Sequence, residues 1–185
     1  ITIFSDPRVI KDMLKKLSEK QLISYVKYQG SSLTDNGRKL ALNIIRKHRL
    51  WEVFLVEKLG FNWSEVHDIA EQLEHVKSDK LIKELDKFLD YPTKDPHGDP
   101  IPNPAGFIKY SNKFLLSDLK IGDKGKFIGV KDSSSLFLKF LDKRKIALGC
   151  TIKVLFIEEF DHSIHFGLND TNLTISLKSA SNIYV

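Results

Sequence analysis

The sequence predicts a mainly α-helical chain with β structure: a partial winged helix-turn-helix, a helical middle segment and a small SH3-like β-barrel. Three observations predict it. Residues 7–17 form a basic amphipathic run, followed by two short strand-like runs and a long helical one, the order helix, hairpin, helix. Residues 66–76, VHDIAEQLEHV, carry two stripes at helical spacing, one apolar and one of imidazoles and carboxylates. After residue 113 the texture changes to short β-rich runs over roughly seventy residues, the size of a small barrel. The domains are expected at 1–36, 37–106 and 107–185.

Residues 7–17, PRVIKDMLKKL, read as a helix with Asp6 as N-cap and Pro7 at its first position. Val9, Met13, Leu14 and Leu17 make its buried side. A strand over 22–28, a turn over 29–31 and a return strand over 32–34 complete the hairpin. As a nucleic-acid reader, the helix enters the major groove of double-stranded DNA and the hairpin tip meets the backbone. Asp6, Pro7, Arg8, Lys11, Lys15, Lys16 and Lys27 are the expected DNA-contacting set. The plainer reading is a basic helix beside a structural hairpin.

Residues 34–37 cap a helix over 38–59, whose middle, LWEVFLVEKL, is apolar beyond one stripe. Such girth implies more than one partner, and a second copy of the chain is the natural one. Gly60 to Trp63 breaks it, and Ser64 caps the helix over 66–76. There Val66, Ile69, Ala70, Leu73 and Val76 share one face, while His67, Glu71, Glu74 and His75 share another. Upstream, His48 and Glu52 are again four apart. Side by side, these helices converge nitrogen and oxygen donors suited to a divalent metal; each pair taken alone reads as a solvated helix face. Ser78 caps a further helix over 79–89, with Leu81, Leu85, Phe88 and Leu89 inward. Residues 91–106 hold five of the six prolines and read as a connector. Within it Asp95, His97 and Asp99 sit on a stiff loop. Strands are expected over 125–131, 151–158, 164–168 and 173–177, with a helix over 135–143.

Composition limits the function. The 185 residues are 42% hydrophobic and 29% charged, enough for real cores under a polar surface. The net charge of +5 and pI near 9.1 suit nucleic acid without requiring it. No apolar run reaches the roughly 18–20 residues that span a bilayer, so no membrane partner is expected. The lone Cys150 forms no intrachain disulfide, and the start lacks a signal-peptide pattern, which together point to the cytoplasm. The chain opens on Ile1 rather than Met and reads as a fragment. No G-x-S-x-G, P-loop, G-x-G-x-x-G or H-E-x-x-H occurs, and Gln72 breaks the Glu-x-x-His spacing of di-iron helices. A binding protein is favoured over an enzyme. The rivals are a metal-independent DNA-binding dimer and a metal-storage or hydrolytic protein.

Five segments, DMLKKL (12–17), LTDNGR (33–38), RKHRLWE (46–52), VHDIAEQLEHVKS (66–78) and DPHGDPIP (95–102), resemble the diphtheria-toxin-repressor family of metal-dependent transcriptional repressors, including its manganese-responsive branch. The barrel resembles that family's optional C-terminal domain. The resemblance implies a homodimer on a palindromic operator that controls metal-uptake genes. It assigns His48, Glu71, Glu74 and His75 to the metal site that triggers DNA binding. Glu52, His67, Asp95 and His97 fall to an ancillary site, which His48 also borders, with Asp132 as its candidate carboxylate from the barrel. Two departures stand out. The family's first helix, a source of further ligands, has no counterpart. The single Met13 lies in the recognition helix and supplies no thioether ligand. Where the iron-responsive branch carries Cys this chain has Glu71, a harder donor, so Mn2+ is the expected effector, with Fe2+ next.

Overall fold

The computed structural model describes residues 7–26, 30–110, 112–169 and 171–185, the side chain of Pro7 aside. They fall into two compact units, 1–46 with 102–107, and 47–101 with 108–185.

The first unit begins with α1 (Pro7–Glu19) and the antiparallel pair β1 (Ile23–Val26) and β2 (Gly30–Leu33), in register from Ile23 opposite Leu33 to Val26 opposite Gly30. Strand β1 begins one residue later than the expected 22, and β2 spans 30–33 rather than 32–34. The hairpin tip, including Lys27, and the expected cap Asp6 lie outside the described residues. Thr34 then starts α2 (Asp35–Leu59). Its hydroxyl accepts the Gly37 N–H at 3.0 Å and donates to Gln21 O at 2.7 Å, so hairpin and helix are locked at one residue. The helix therefore begins at 35 rather than 38, residues 35–37 being its first turn. Gly37 is required there: a Cβ would lie 1.9 Å from Leu22 O. On α1 the expected buried side is open. Val9, Met13 and Leu17 are 50%, 56% and 36% exposed, and only Leu14 is half-buried. The strand packed on this helix, β1, is four residues long and too short to cover it.

In the second unit α2 continues and is followed by α3 (His67–Leu73) and α4 (Asp79–Phe88). The apolar girth of α2 is covered largely within the chain. Leu50, Trp51, Val53 and Leu55 are buried in one core with Val66, Ala70, Ile82 and Leu85. Leu59 remains exposed. Ser78 caps α4 as expected, accepting the Leu81 N–H at 3.2 Å. The inward set is corrected: Ile82, Leu85 and Leu89 are buried, whereas Leu81 and Phe88 face outward. The helix starts at Ser78's cap, and its phase puts position 82, not 81, over the core.

Helix α3 is shorter than the expected span of 66–76. Its N-cap is Val66 with no side-chain cap, because Ser64 sits in a preceding turn, where its N–H bonds Asn62 Oδ1 at 2.8 Å. The turn closes through Glu65 N–H to Asn62 O at 3.0 Å. At the other end Glu74 is the C-cap, and Val76 is 36% exposed.

The rest of this unit is the SH3-like barrel. A 3-10 turn (Leu116–Asp118) leads into β3 (Lys124–Lys126), β4 (Gly129–Val130), α5 (Ser135–Asp142), β5 (Thr151–Ile157), β6 (Ile164–Leu168), β7 (Thr171–Ile175), α6 (Leu177–Ala180) and β8 (Ile183–Tyr184). The order β3-β5-β6-β7 makes one antiparallel sheet and β4-β8 a second, small one. Buried and exposed residues alternate from Thr151 to Val154, and the register shifts between Val154 and Phe156. The run expected at 125–131 is two strands, broken where Phe127 turns into the core. Among the described residues no helix is long and apolar enough to cross a membrane.

One contact ties the proline-rich loop to the barrel. Val130 N–H bonds His97 O at 3.0 Å, and Gly98, at φ +86°, has no room for a side chain, since a Cβ would sit 2.0 Å from Ile128 O. Gly98→Ala therefore meets a steric clash as well as an unfavourable φ. It should cost at least about 1–3 kcal/mol and lower the melting temperature by several degrees, measured by thermal unfolding.

Candidate metal centre

Glu52 is the centre of the site because of where its helix is buried. Between Leu50 and Leu55, α2 is enclosed on nearly every side, so the residue at 52 points inward; it is 2% exposed. A buried carboxylate needs cationic or hydrogen-bonding partners. Glu52 finds three imidazoles. Its Oε1 lies 3.0 Å from His48 Nε2 and 3.6 Å from His67 Nδ1, and its Oε2 lies 3.6 Å from His97 Nδ1.

His48, one turn earlier on α2, stands between the two ends of α3. Its Nδ1 meets Glu74 Oε2 at 2.7 Å, while Nε2 faces Glu52 and, at 3.2 Å, His67 Nδ1. Carboxylates only accept, so this geometry calls for hydrogen on both ring nitrogens, or for a cation in place of one. Burial works against that charge, yet Glu52 and then Glu74 outweigh it and hold the His48 pKa above its ordinary value. His97 behaves alike: burial pulls its pKa down, and Glu52, the Trp63 carbonyl and Asp95 raise it further. For Glu52 burial favours the neutral acid, but bonds from His48 and His97 win and bring its pKa down to about 2.

Asp95 and His97 come from the loop. The Asp95 Oδ1 accepts the N–H groups of His97 at 2.8 Å and Asp99 at 2.9 Å, and its Oδ2 lies 3.3 Å from Arg49 Nε. Arg49 also reaches Asp99 and the Pro100 carbonyl. Burial first, then the charge of Glu52, pushes the Asp95 pKa up to about 6. The His97 ring is held by Trp63, whose carbonyl accepts from Nε2 at 2.8 Å.

Two donor groups result: His48 with Glu52 and His67, and Glu52 with Asp95 and His97, the donor atoms of each lying within 4.8 Å of one another. Mixed imidazole and carboxylate donors suit Mn2+, Fe2+ or Zn2+ rather than a soft ion. The structure thus brings together His48, Glu52, His67, Asp95 and His97, with Glu74 on the far nitrogen of His48. It does not bring the whole α3 stripe together. Glu71 and His75 are exposed and lie in neither group. Asp132 also lies outside both; its Oδ1 accepts the Ser134 N–H at 2.8 Å ahead of α5. On α1, Arg8, Lys11, Lys15 and Lys16 are exposed, and Lys15 approaches Glu19 at 3.8 Å. Sequence reasoning missed Arg49 and Trp63. Arg49 adjoins His48 in sequence, but a backbone carbonyl such as that of Trp63 leaves no mark in residue type.

The comparisons with known proteins follow this geometry. Residues 34–103 match the iron dependent repressor, metal binding and dimerisation domain, and residues 114–185 match the FeoA domain. Over 86 residues the chain is 46% identical to a probable metal transport system membrane protein of Chlamydia trachomatis, covering 46% of this chain and 19% of that protein. Over 70 residues it is 49% identical to the iron-dependent repressor IdeR of Mycobacterium tuberculosis, covering 38% of this chain and 30% of the relative. Its matches thus span less than a third of either relative's length. A solved manganese-dependent transcriptional repressor, in complex with manganese, superposes with a TM-score of 0.88 at 34% identity, covering 99% of this chain and 86% of that one. Domain order and fold define the class, a metal-binding and dimerisation segment joined to a FeoA domain. The chain belongs to the diphtheria-toxin-repressor family of metal-dependent transcriptional repressors.

The electrostatics set a pH dependence. Metal binding needs unprotonated imidazole nitrogen. With His48 and His97 held above 6.5, Mn2+ affinity should weaken as pH falls from 8 to 6, by up to about tenfold per unit for each proton displaced, in titration calorimetry. Metal-free stability has another window. The Glu52 pKa is lowered, so its contribution is present above 4.5 and is lost as pH falls toward 2. Asp95, raised to about 6, runs the other way: its ionisation costs stability as pH climbs from 3.8 through 6. Acid unfolding followed by circular dichroism should lose the Glu52 component in Glu52→Gln.

Proposed function

We propose that this chain acts as a metal-activated DNA-binding repressor, with Mn2+ as effector and Fe2+ as the next best. The observation that carries this is Glu52, a buried carboxylate with one oxygen facing His48 and His67 and the other facing His97. Without a cation, His48 has carboxylates on both nitrogens and His97 presents one to Glu52. A divalent ion relieves that arrangement by replacing protons with a single fixed charge. Two of the named relatives support the same chemistry, an iron-dependent repressor and a manganese-dependent one.

In this reading His48 and Glu74 form the nucleus of the triggering site, and Glu71 and His75, exposed beside Glu74, turn onto the ion when it binds. Glu52, Asp95 and His97 form the ancillary site, bordered by His67, with Asp132 closing on it from the barrel. In the same reading the domains are a partial winged helix-turn-helix over 1–36, a dimerisation and metal segment over 37–106 and a barrel over 107–185. Two copies pair through the helical segment and read a palindromic operator with half-sites about one helical turn, or a multiple of it, apart. Arg8, Lys11, Lys15 and Lys16 on α1 supply salt-dependent phosphate contacts, and Asp6, Pro7 and Lys27 are assigned to the same DNA-contacting set. The protein works in the cytoplasm, by binding rather than catalysis.

Metal selects the DNA-competent state by binding it more tightly, and moving from mostly free to mostly bound takes several kcal/mol of that preference. Carboxylate-rich coordination favours Mn2+ by coordination number and supply rather than by affinity order, which runs toward Zn2+ and Cu2+. The test is a gel shift of the full-length protein on a palindromic operator with Mn2+, Zn2+ or chelator. Mn2+ should tighten binding at least tenfold, and Glu74→Ala should abolish the response while sedimentation still reads a dimer. Equal binding in EDTA would sink the proposal, and a response to Zn2+ alone would overturn the choice of metal.

A further inference from the structure

Trp63 belongs to two parts of the second unit at once. Its indole lies against the barrel core, and its Nε1–H donates to Asp142 Oδ1 at 2.8 Å, at the last residue of α5. The neighbouring Asn62 Nδ2 lies 3.4 Å from the other oxygen of the same carboxylate. The backbone carbonyl of Trp63 accepts from His97 Nε2 at 2.8 Å, while the two rings stack with centroids 6.0 Å apart and planes 21° from parallel. His97 is also gripped through its backbone, by the bond from Val130 N–H.

We propose that Trp63 and Asp142 are positioning residues through which the barrel decides which nitrogen His97 presents to the Glu52–Asp95–His97 group. This rests on the reading that the group takes a divalent cation. A carbonyl only accepts, so Nε2 keeps its hydrogen and Nδ1, facing Glu52, carries the lone pair a metal needs. Such outer partners fix ring orientation and tautomer, and losing one weakens metal binding about 10- to 100-fold. The coupling is reciprocal: whatever binds Nδ1 stabilises the seating of Trp63 and Asp142, and so of the barrel. The barrel is then part of the metal site's framework through Trp63 and Asp142, neither of which touches the ion.

The test uses the full chain and three variants, Asp142→Ala, Asp142→Asn and Trp63→Phe. Mn2+ binding is counted by the loss of the free-ion EPR signal, and the His97 tautomer is read by nitrogen NMR of the metal-free protein. At a pH above the raised pKa of His97, the unaltered chain should show that ring as a single Nε2–H tautomer. Asp142→Ala and Trp63→Phe should weaken one class of Mn2+ site at least tenfold, leave the other class unchanged and mix the tautomers. Asp142→Asn, whose amide oxygen still accepts the indole N–H, should restore both readouts. The proposal fails if Asp142→Ala, with its barrel folded by circular dichroism, keeps its affinity and its tautomer. It fails equally if Asn is as damaging as Ala, since the loss is then one of charge. A wild-type chain that binds no Mn2+ would sink the metal reading, and the metal-free tautomer measurement would still decide the Trp63 arm.

Discussion

A carboxylate buried in the middle of an apolar helix is the constraint from which the rest of the second unit follows. Glu52 sits where α2 is enclosed, and an ionised carboxylate in such a place is costly unless cations or strong donors surround it. The chain meets that need with imidazoles from three places: one turn back on the same helix, the first residue of α3, and a loop more than forty residues on. Each of those elements is therefore held to α2 by charge as well as by apolar packing. Around this nucleus the hydrophobic core of Leu50, Val53, Val66, Ala70 and Leu85 closes with little choice of register.

The same arrangement explains why the imidazoles are poised for an ion. Burial alone would make His48 and His97 poor bases, and the adjacent carboxylates, joined at His97 by the Trp63 carbonyl, reverse that tendency. The group is thus a balance of desolvation against attraction, and a divalent cation shifts it further than a proton does. Arg49 shares the work on the loop side, where it neutralises Asp95 and Asp99 together. Its fixed fork of donors matches two carboxylates and a carbonyl at once, a task for which lysine is ill suited.

Much of the architecture was legible in residue spacing. The cap at Thr34, the cap at Ser78 and the β-rich texture after residue 113 all rest on local rules that hold here. What periodicity could not supply was the end of α3, where a tight turn through Asn62 and Glu65 displaces the expected Ser64 cap and starts the helix at His67. The imidazole and carboxylate stripe divides, with His67 and Glu74 against His48 and with Glu71 and His75 exposed. The apolar side of α1 was misjudged for a different reason: spacing tells which face is apolar, not what covers it. Convergence of His48, Glu52 and His97 is a tertiary fact, at which the chemistry of the residue types and the family resemblance hinted.

The loop bearing Asp95 and His97 is already folded around its own side chains and backbone. Two main-chain amides close on Asp95, Arg49 clamps its far oxygen, and Gly98 lets the turn lie flat on the barrel. An ion bound there, as proposed, would meet a socket already folded, and little of the binding free energy would go into ordering chain. A socket of that kind discriminates by fit: ions of the wrong radius or coordination habit must strain the loop or leave donors unmet. Its stiffness is thus a source of selectivity that the identity of the donor atoms alone does not provide.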